Sequence, residues 1–195
     1  MPAQPIYQFY AELDCYKPKI WRRFQAAGNV TVAKLGYIVM TMYEMEANHL
    51  LAIEHERLML TQSGRLSKRM ELICRYDIPD KDGEWKRWSW GDEKDATKAK
   101  ISELNLEAPS RLTVWYDFGD DWKVSVYLEK IFCNPDIPVK ELPRVLEGKG
   151  FGIIEDCGGI YGLEDLTQAF KAKKGEDYER YREWLGCGRF GYDGI

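Results

Sequence analysis

One stretch constrains the fold more than any other: LTVWYDFGDDWKVSVYLEK, Leu112 to Lys130. After Trp122 the chain alternates, with Val124, Val126 and Leu128 on one side and Ser125, Tyr127 and Glu129 on the other. Period two marks a strand with one buried face and one solvated face. LTVWY reads as a second strand, and DFGDD between them has the residue types of a short hairpin loop. A helix cannot satisfy this pattern, so the fold must contain antiparallel sheet. Asp120 and Asp121 are expected at the tip. Gly119 is expected to take a positive φ, where alanine would cost about 1 kcal/mol.

The rest of the chain extends that sheet. IYQFYAELDCY alternates, placing Tyr7, Phe9, Ala11, Leu13 and Cys15 on one face. IWRRFQA, HLLAIEHE and MELICRY read as further strands. Between them NVTVAKLGYIVMTMYEM changes period: Val32, Leu35, Val39 and Met42 recur at helical spacing behind Thr31, a natural N-cap. LEDLTQAFKA puts Leu163, Leu166 and Phe170 on one helical face. DYERYREWLG forms a last helix ended by Gly186. CNPDIPVKELPR is a proline-bearing connector. Residues 77–100 lose all periodicity and read as a long polar loop or insertion. The whole, residues 1–195, is one α+β domain: a largely antiparallel sheet with packed helices, roll-like in form.

Composition narrows the function classes. The net charge is -4 and the pI about 5.4, so nucleic-acid contact would need a local patch. No signal peptide and no membrane span is read in the chain. The five cysteines (Cys15, Cys74, Cys133, Cys157, Cys187) form no CxxC pair and read as mostly buried thiols of a cytoplasmic protein.

Four constellations carry chemistry. Asp117, Asp120 and Asp121 crowd the hairpin, and Asp156 with Glu155 follows in EDCGG. Clustered carboxylates hold hard cations such as magnesium or manganese, although Asp and Gly are also ordinary turn residues. KPKIWRR supplies Arg22 and Arg23, either as a phosphate-binding edge or as partners for the aspartates. The expected pairing is Arg22 or Arg23 with Asp117. EWKRWSW interleaves Trp85, Trp88 and Trp90 with Lys86 and Arg87, a base-stacking platform or a loop pinned by indoles. Cys157 is a thiol between an acidic pair and Gly-Gly, read as a small residue beside a tight turn. The two histidines, His49 and His55, do not match the spacing of HExxH. That argues against a histidine-rich zinc centre.

KPKIWRR, NHLLAIE, YDFGDDW with its strand ending LEK, and EDCGGIYGLEDL occur in this order. Together they resemble the plasmid pRiA open-reading-frame-three-like family, also labelled insertion-element passenger proteins. The resemblance spans roughly Ile6 to Leu185. It implies an α+β roll and brings no activity with it, because the family label reflects genomic company. The chain departs from the family pattern where histidines are expected, at Leu51 and Val124. It departs again at Gly152 to Ile154, where Cys-Pro-Pro is expected.

The resulting expectation is a non-catalytic binding or accessory module without a cofactor. Its polar groove would hold Arg22, Arg23, His49, Asp117, Asp120, Asp121, Trp122, Asp156 and Cys157, facing a protein or nucleic-acid partner. One alternative is a magnesium- or manganese-dependent phosphoesterase using Asp117, Asp120, Asp121 and Asp156. The other is single-stranded nucleic-acid binding.

Overall fold

Among the residues described by the computed structural model (4–60, 66–78, 93–107 and 110–186), eight strands form one sheet. They are β1 (Ile6–Leu13), β2 (Trp21–Ala27), β3 (Leu51–Leu60), β4 (Leu66–Asp77), β5 (Glu93–Asp95), β6 (Arg111–Tyr116), β7 (Trp122–Phe132) and β8 (Arg144–Lys149). The helices are α1 (Val32–Met42), α2 (Gly159–Ala172) and α3 (Glu176–Trp184). In space the strands run β5-β4-β3-β6-β7-β1-β2-β8. Every pairing is antiparallel except that of β4 with β5. The chain is therefore α+β, and its sheet is open, with β5 and β8 at the edges.

The alternation in β1 divides the two faces. Tyr7, Phe9, Ala11 and Leu13 are buried in the core with Phe24, Ile53, Val114, Val124 and Val126. Helix α1 contributes Leu35 and Val39 to the same cluster, both fully buried. Each such side chain contributes about 1.5–3 kcal/mol of burial. Thr31 starts the helix, its side chain accepting a hydrogen bond from the Lys34 amide at 3.1 Å. Gly36 lets the helix settle onto β3, because a Cβ there would lie 2.8 Å from Leu51 Cδ2.

The opposite face of the sheet is polar and carries cross-strand ion pairs. Arg23 bridges Glu129 and Glu147, Arg75 bridges Asp77 and Glu54, and Arg111 meets Glu56.

Several sequence expectations shift. The proline-bearing connector is followed by a strand the alternation did not reveal, β8, most of whose residues are exposed. Residues 93–95 of the expected loop form β5. The segment after it is tied to α1, the Val32 amide donating to the Ala99 carbonyl at 2.8 Å. The Trp-rich part of that loop, with Trp85, Lys86, Arg87, Trp88 and Trp90, lies outside the described residues, as does Cys187. Cys15 leaves the buried face of β1: it is exposed and takes φ 61° in the following turn. Of the four described cysteines only Cys74 is buried. Among the described residues no helix is long and apolar enough to cross a membrane.

Candidate functional site

Three separate segments converge at one end of β3 and β6: the α1–β3 loop, the β6–β7 hairpin and the turn before α2. Backbone contacts build the convergence. The Ile153 amide donates to the Tyr43 carbonyl at 2.9 Å, and the Asp117 amide donates to the Leu50 carbonyl at 3.1 Å. Glycines allow the closest approaches. A Cβ at Gly159, which has φ 67°, would collide with the Asp120 carbonyl, and one at Gly162 would collide with the Cys157 carbonyl. The Gly-Gly of EDCGG thus brings the acidic turn against the hairpin and opens α2 directly behind it.

The hairpin tip is built by its aspartates and not by its glycine. Asp117 and Asp121 take the positive φ values, 51° and 57°. Gly119 is not among the positive-φ residues, which corrects the expectation from the loop sequence. The reason is local. Asp tolerates the left-handed region, and Asp117 Oδ1 accepts from the Gly119 amide at 2.9 Å, closing a side-chain-capped turn. The Asp121 amide donates to the Asp117 carbonyl at 2.7 Å to finish it.

At the centre sits His49. Its Nδ1 lies 3.6 Å from Asp117 Oδ2, and its Nε2 lies 3.3 Å from Glu155 Oε2 and 3.7 Å from Asp156 Oδ1. The ring stands edge-on to Tyr116, with centroids 5.7 Å apart. Tyr116 donates to Glu155 Oε1 at 2.8 Å, and the Glu46 amide donates to the same oxygen at 2.8 Å. Burial, then the bond to Glu155, pushes the Tyr116 hydroxyl up to about 12, so it stays a donor. Glu155 Oε2 is buried and has no hydrogen-bond partner. Asp117 spends one oxygen on the local Gly119 amide and Glu155 spends one on Tyr116 and Glu46, and each turns its other oxygen toward the imidazole.

The remaining candidates separate. Asp120 Oδ2 accepts from the Gly158 amide at 3.3 Å and so ties hairpin to turn. Asp121 pairs with Lys123 at 2.7 Å, away from His49. The four-aspartate set is therefore split: Asp117 and Asp156 reach the centre, Asp120 and Asp121 do not. Trp122 is withdrawn from any groove, because its side chain is fully buried in the core. Cys157 is half-buried, and burial followed by the charge of Asp120 pushes its thiol up to about 11, so it is no thiolate nucleophile.

Neither arginine pairs with Asp117. Arg22 donates to the carbonyls of Trp21, Lys149, Gly150 and Phe151, and Arg23 is taken by Glu129 and Glu147. The two are neighbours on a strand, so they point to opposite faces of the sheet. His55 is also no site residue. It is 3% exposed on β3, and burial lowers its pKa, which keeps it neutral in the core. Sequence reading missed Tyr116 as a site residue and left Glu155 as a secondary partner. Tyr116 ends a strand one residue before Asp117, and that adjacency to the turn was its only signal.

The family model described as plasmid pRiA4b ORF-3-like protein matches residues 5–194. The chain is 28% identical over 169 residues to the uncharacterized protein y4hQ of Sinorhizobium fredii, covering 84% of this chain and 81% of that protein. It is also similar to the crystal structure of MM3350, a protein of unknown function from Methanosarcina mazei. That match has a TM-score of 0.72 and 27% identity, covering 94% of this chain and 90% of the other.

Proposed function

The chain belongs to the plasmid pRiA4b ORF-3-like family, and on that premise we propose that it is a non-catalytic binding module whose working site takes a positively charged ligand. One observation carries the reading: the free oxygens of Asp117, Glu155 and Asp156 converge on a single, partly exposed imidazole. Among the described residues, no arginine or lysine pairs with these three carboxylates. Carboxylates crowded without a cation repel one another, and a cationic ligand relieves that repulsion. The exposed Asp156, with a side chain 75% accessible, keeps the site open to solvent.

Catalysis has less support. Burial holds the nearby Cys157 thiol protonated, so it supplies no nucleophile. Nucleic-acid binding is weakened on the polar face of the sheet, where Arg23, Arg75 and Arg111 are committed to carboxylates and offer no free positive field. The plasmid reading frame for which the family is named supports an accessory role.

Thermal-shift and calorimetric titrations test the reading. The panel comprises manganese chloride, magnesium chloride, spermine, a lysine-rich peptide and a single-stranded oligonucleotide. At least one cationic probe is expected to bind and raise the melting temperature, with Asp117→Asn weakening it. Binding of the oligonucleotide alone would overturn the reading.

A further inference from the structure

We propose that His49, Asp117 and Asp156 are the ligands of one divalent transition ion of the manganese, iron or cobalt class, with Glu155 positioning the imidazole. The proposal rests on the reading of the junction as a cation site, and it names the cation.

Geometry supports it first. One ligand atom from each of His49, Asp117 and Asp156 lies within 4.8 Å of the others. The imidazole Nδ1 lies 3.6 Å from Asp117 Oδ2. A charge-assisted hydrogen bond would draw such a pair to about 2.7–2.9 Å. Two atoms bound to one ion at about 2.1 Å sit roughly 3.0–4.2 Å apart, according to the angle between them. That separation falls in the second range. It is longer than a charge-assisted hydrogen bond and suits two donors around a common ion.

Glu155 supplies an independent reason. Its Oε2 is buried without a hydrogen-bond partner, while Oε1 is fixed by Tyr116 and the Glu46 amide. A buried carboxylate oxygen left unpaired is costly. Oε2 faces Nε2 at 3.3 Å and accepts a hydrogen bond from Nε2–H once the ring turns slightly. That tautomer leaves the Nδ1 lone pair facing Asp117 Oδ2. Two acceptors facing each other repel unless a cation lies between them. A carboxylate holding the far nitrogen of a ligating histidine is a recurrent arrangement in metal sites.

The donor set favours a transition ion over magnesium or calcium. Magnesium and calcium favour all-oxygen ligation, whereas an imidazole nitrogen with two carboxylates suits manganese, iron or cobalt. Two carboxylates also balance the charge of a divalent ion. With three protein ligands and an exposed Asp156, coordination positions remain for water.

The test uses the full chain, freed of metal by chelation. Manganese and cobalt chlorides are each expected to bind at one equivalent per chain by calorimetry, with magnesium at least ten-fold weaker. His49→Ala, Asp117→Asn and Asp156→Asn should each weaken manganese binding at least 100-fold. Asp156 is largely exposed, so its variant keeps the test open if another fails to fold. Asp121→Asn, in the same hairpin but paired with Lys123, should bind as the parent does. Glu155→Gln should weaken binding about 10- to 100-fold and shift both the cobalt absorption bands and the pH midpoint of binding. A merely structural Glu155 would lower the melting temperature and move neither. Absence of saturable manganese and cobalt binding overturns the proposal, as does magnesium binding equally well or His49→Ala binding undiminished. If spermine or the lysine-rich peptide binds while manganese and cobalt do not, the metal assignment falls and the cation-site reading stands. If no cation binds, both fall.

Discussion

The polar face of the sheet and the acidic junction are both rich in carboxylates, yet they treat charge differently. On the sheet, Glu56 and Asp77 sit against an arginine of a neighbouring or the same strand, and Glu129 against Arg23 across the intervening β1. At the junction, three carboxylate oxygens share one histidine. Strand register produces the first arrangement, because Glu56 and Arg111 are direct cross-strand partners. The second exists only because three loops are held together from outside. Balanced charge serves the fold; unbalanced charge, held in place by backbone contacts, is available to a ligand.

The largest expected effect comes from unbalancing the sheet. Arg111→Met should cost about 2–3 kcal/mol, somewhat less than a fully buried pair because both partners keep some solvent. Glu56 would retain Thr113 as a donor but lose its charge partner. Adding Glu56→Gln should recover part of the loss. Urea midpoints of the single and double variants give the coupling, and a coupling near zero would erase the contrast between the two regions.

Neutralising the junction should act the other way. Asp117→Asn keeps an acceptor for the Gly119 amide and tolerates φ 51°, while removing one of the charges around His49. In chelator, stability should hold or rise by up to about 1 kcal/mol, as is common where a site is built for binding and not for stability. A loss of more than that would make the junction a stabilising ion cluster like the sheet.

The smallest effect concerns pH. The bond from Arg23, more than any other cause, holds the Glu129 carboxyl below its usual 4.5. A carboxylate depressed in the folded state contributes stability above its unfolded pKa and loses it as pH falls through the folded value. Acidification below about pH 4.5 should therefore remove the small contribution of this solvent-screened pair. In Glu129→Gln that part of the pH dependence should be missing. Denaturant midpoints between pH 3 and pH 6 would show whether the two curves run parallel, which would count against the pairing.

Much of the fold was legible because burial leaves a periodic trace. The alternation of β1 and β7 and the helical spacing of Val32, Leu35 and Val39 follow from one face meeting the core. Strand β8 left no such trace, since most of its residues are exposed and only its pairing with β2 makes it a strand. The hairpin was legible as a hairpin, but its φ values were not. Asp and Gly both tolerate the left-handed region, and the side-chain cap from Asp117 decided between them.

Residue types and their spacing determined by themselves that this chain makes an antiparallel sheet with helices, that a hairpin carries a crowd of carboxylates, and that two glycines follow EDC. Those are local properties, set by side-chain period and backbone tolerance. Which carboxylates meet was decided by tertiary structure alone. Asp117 and Asp156 lie 39 residues apart and meet at His49 because Gly159 lets the turn's backbone touch the hairpin's and because Tyr116 and the Glu46 amide anchor Glu155. Arg22 and Arg23 looked like their partners in sequence, but the pleat of β2 directs the two side chains to opposite faces, and neither reaches the hairpin.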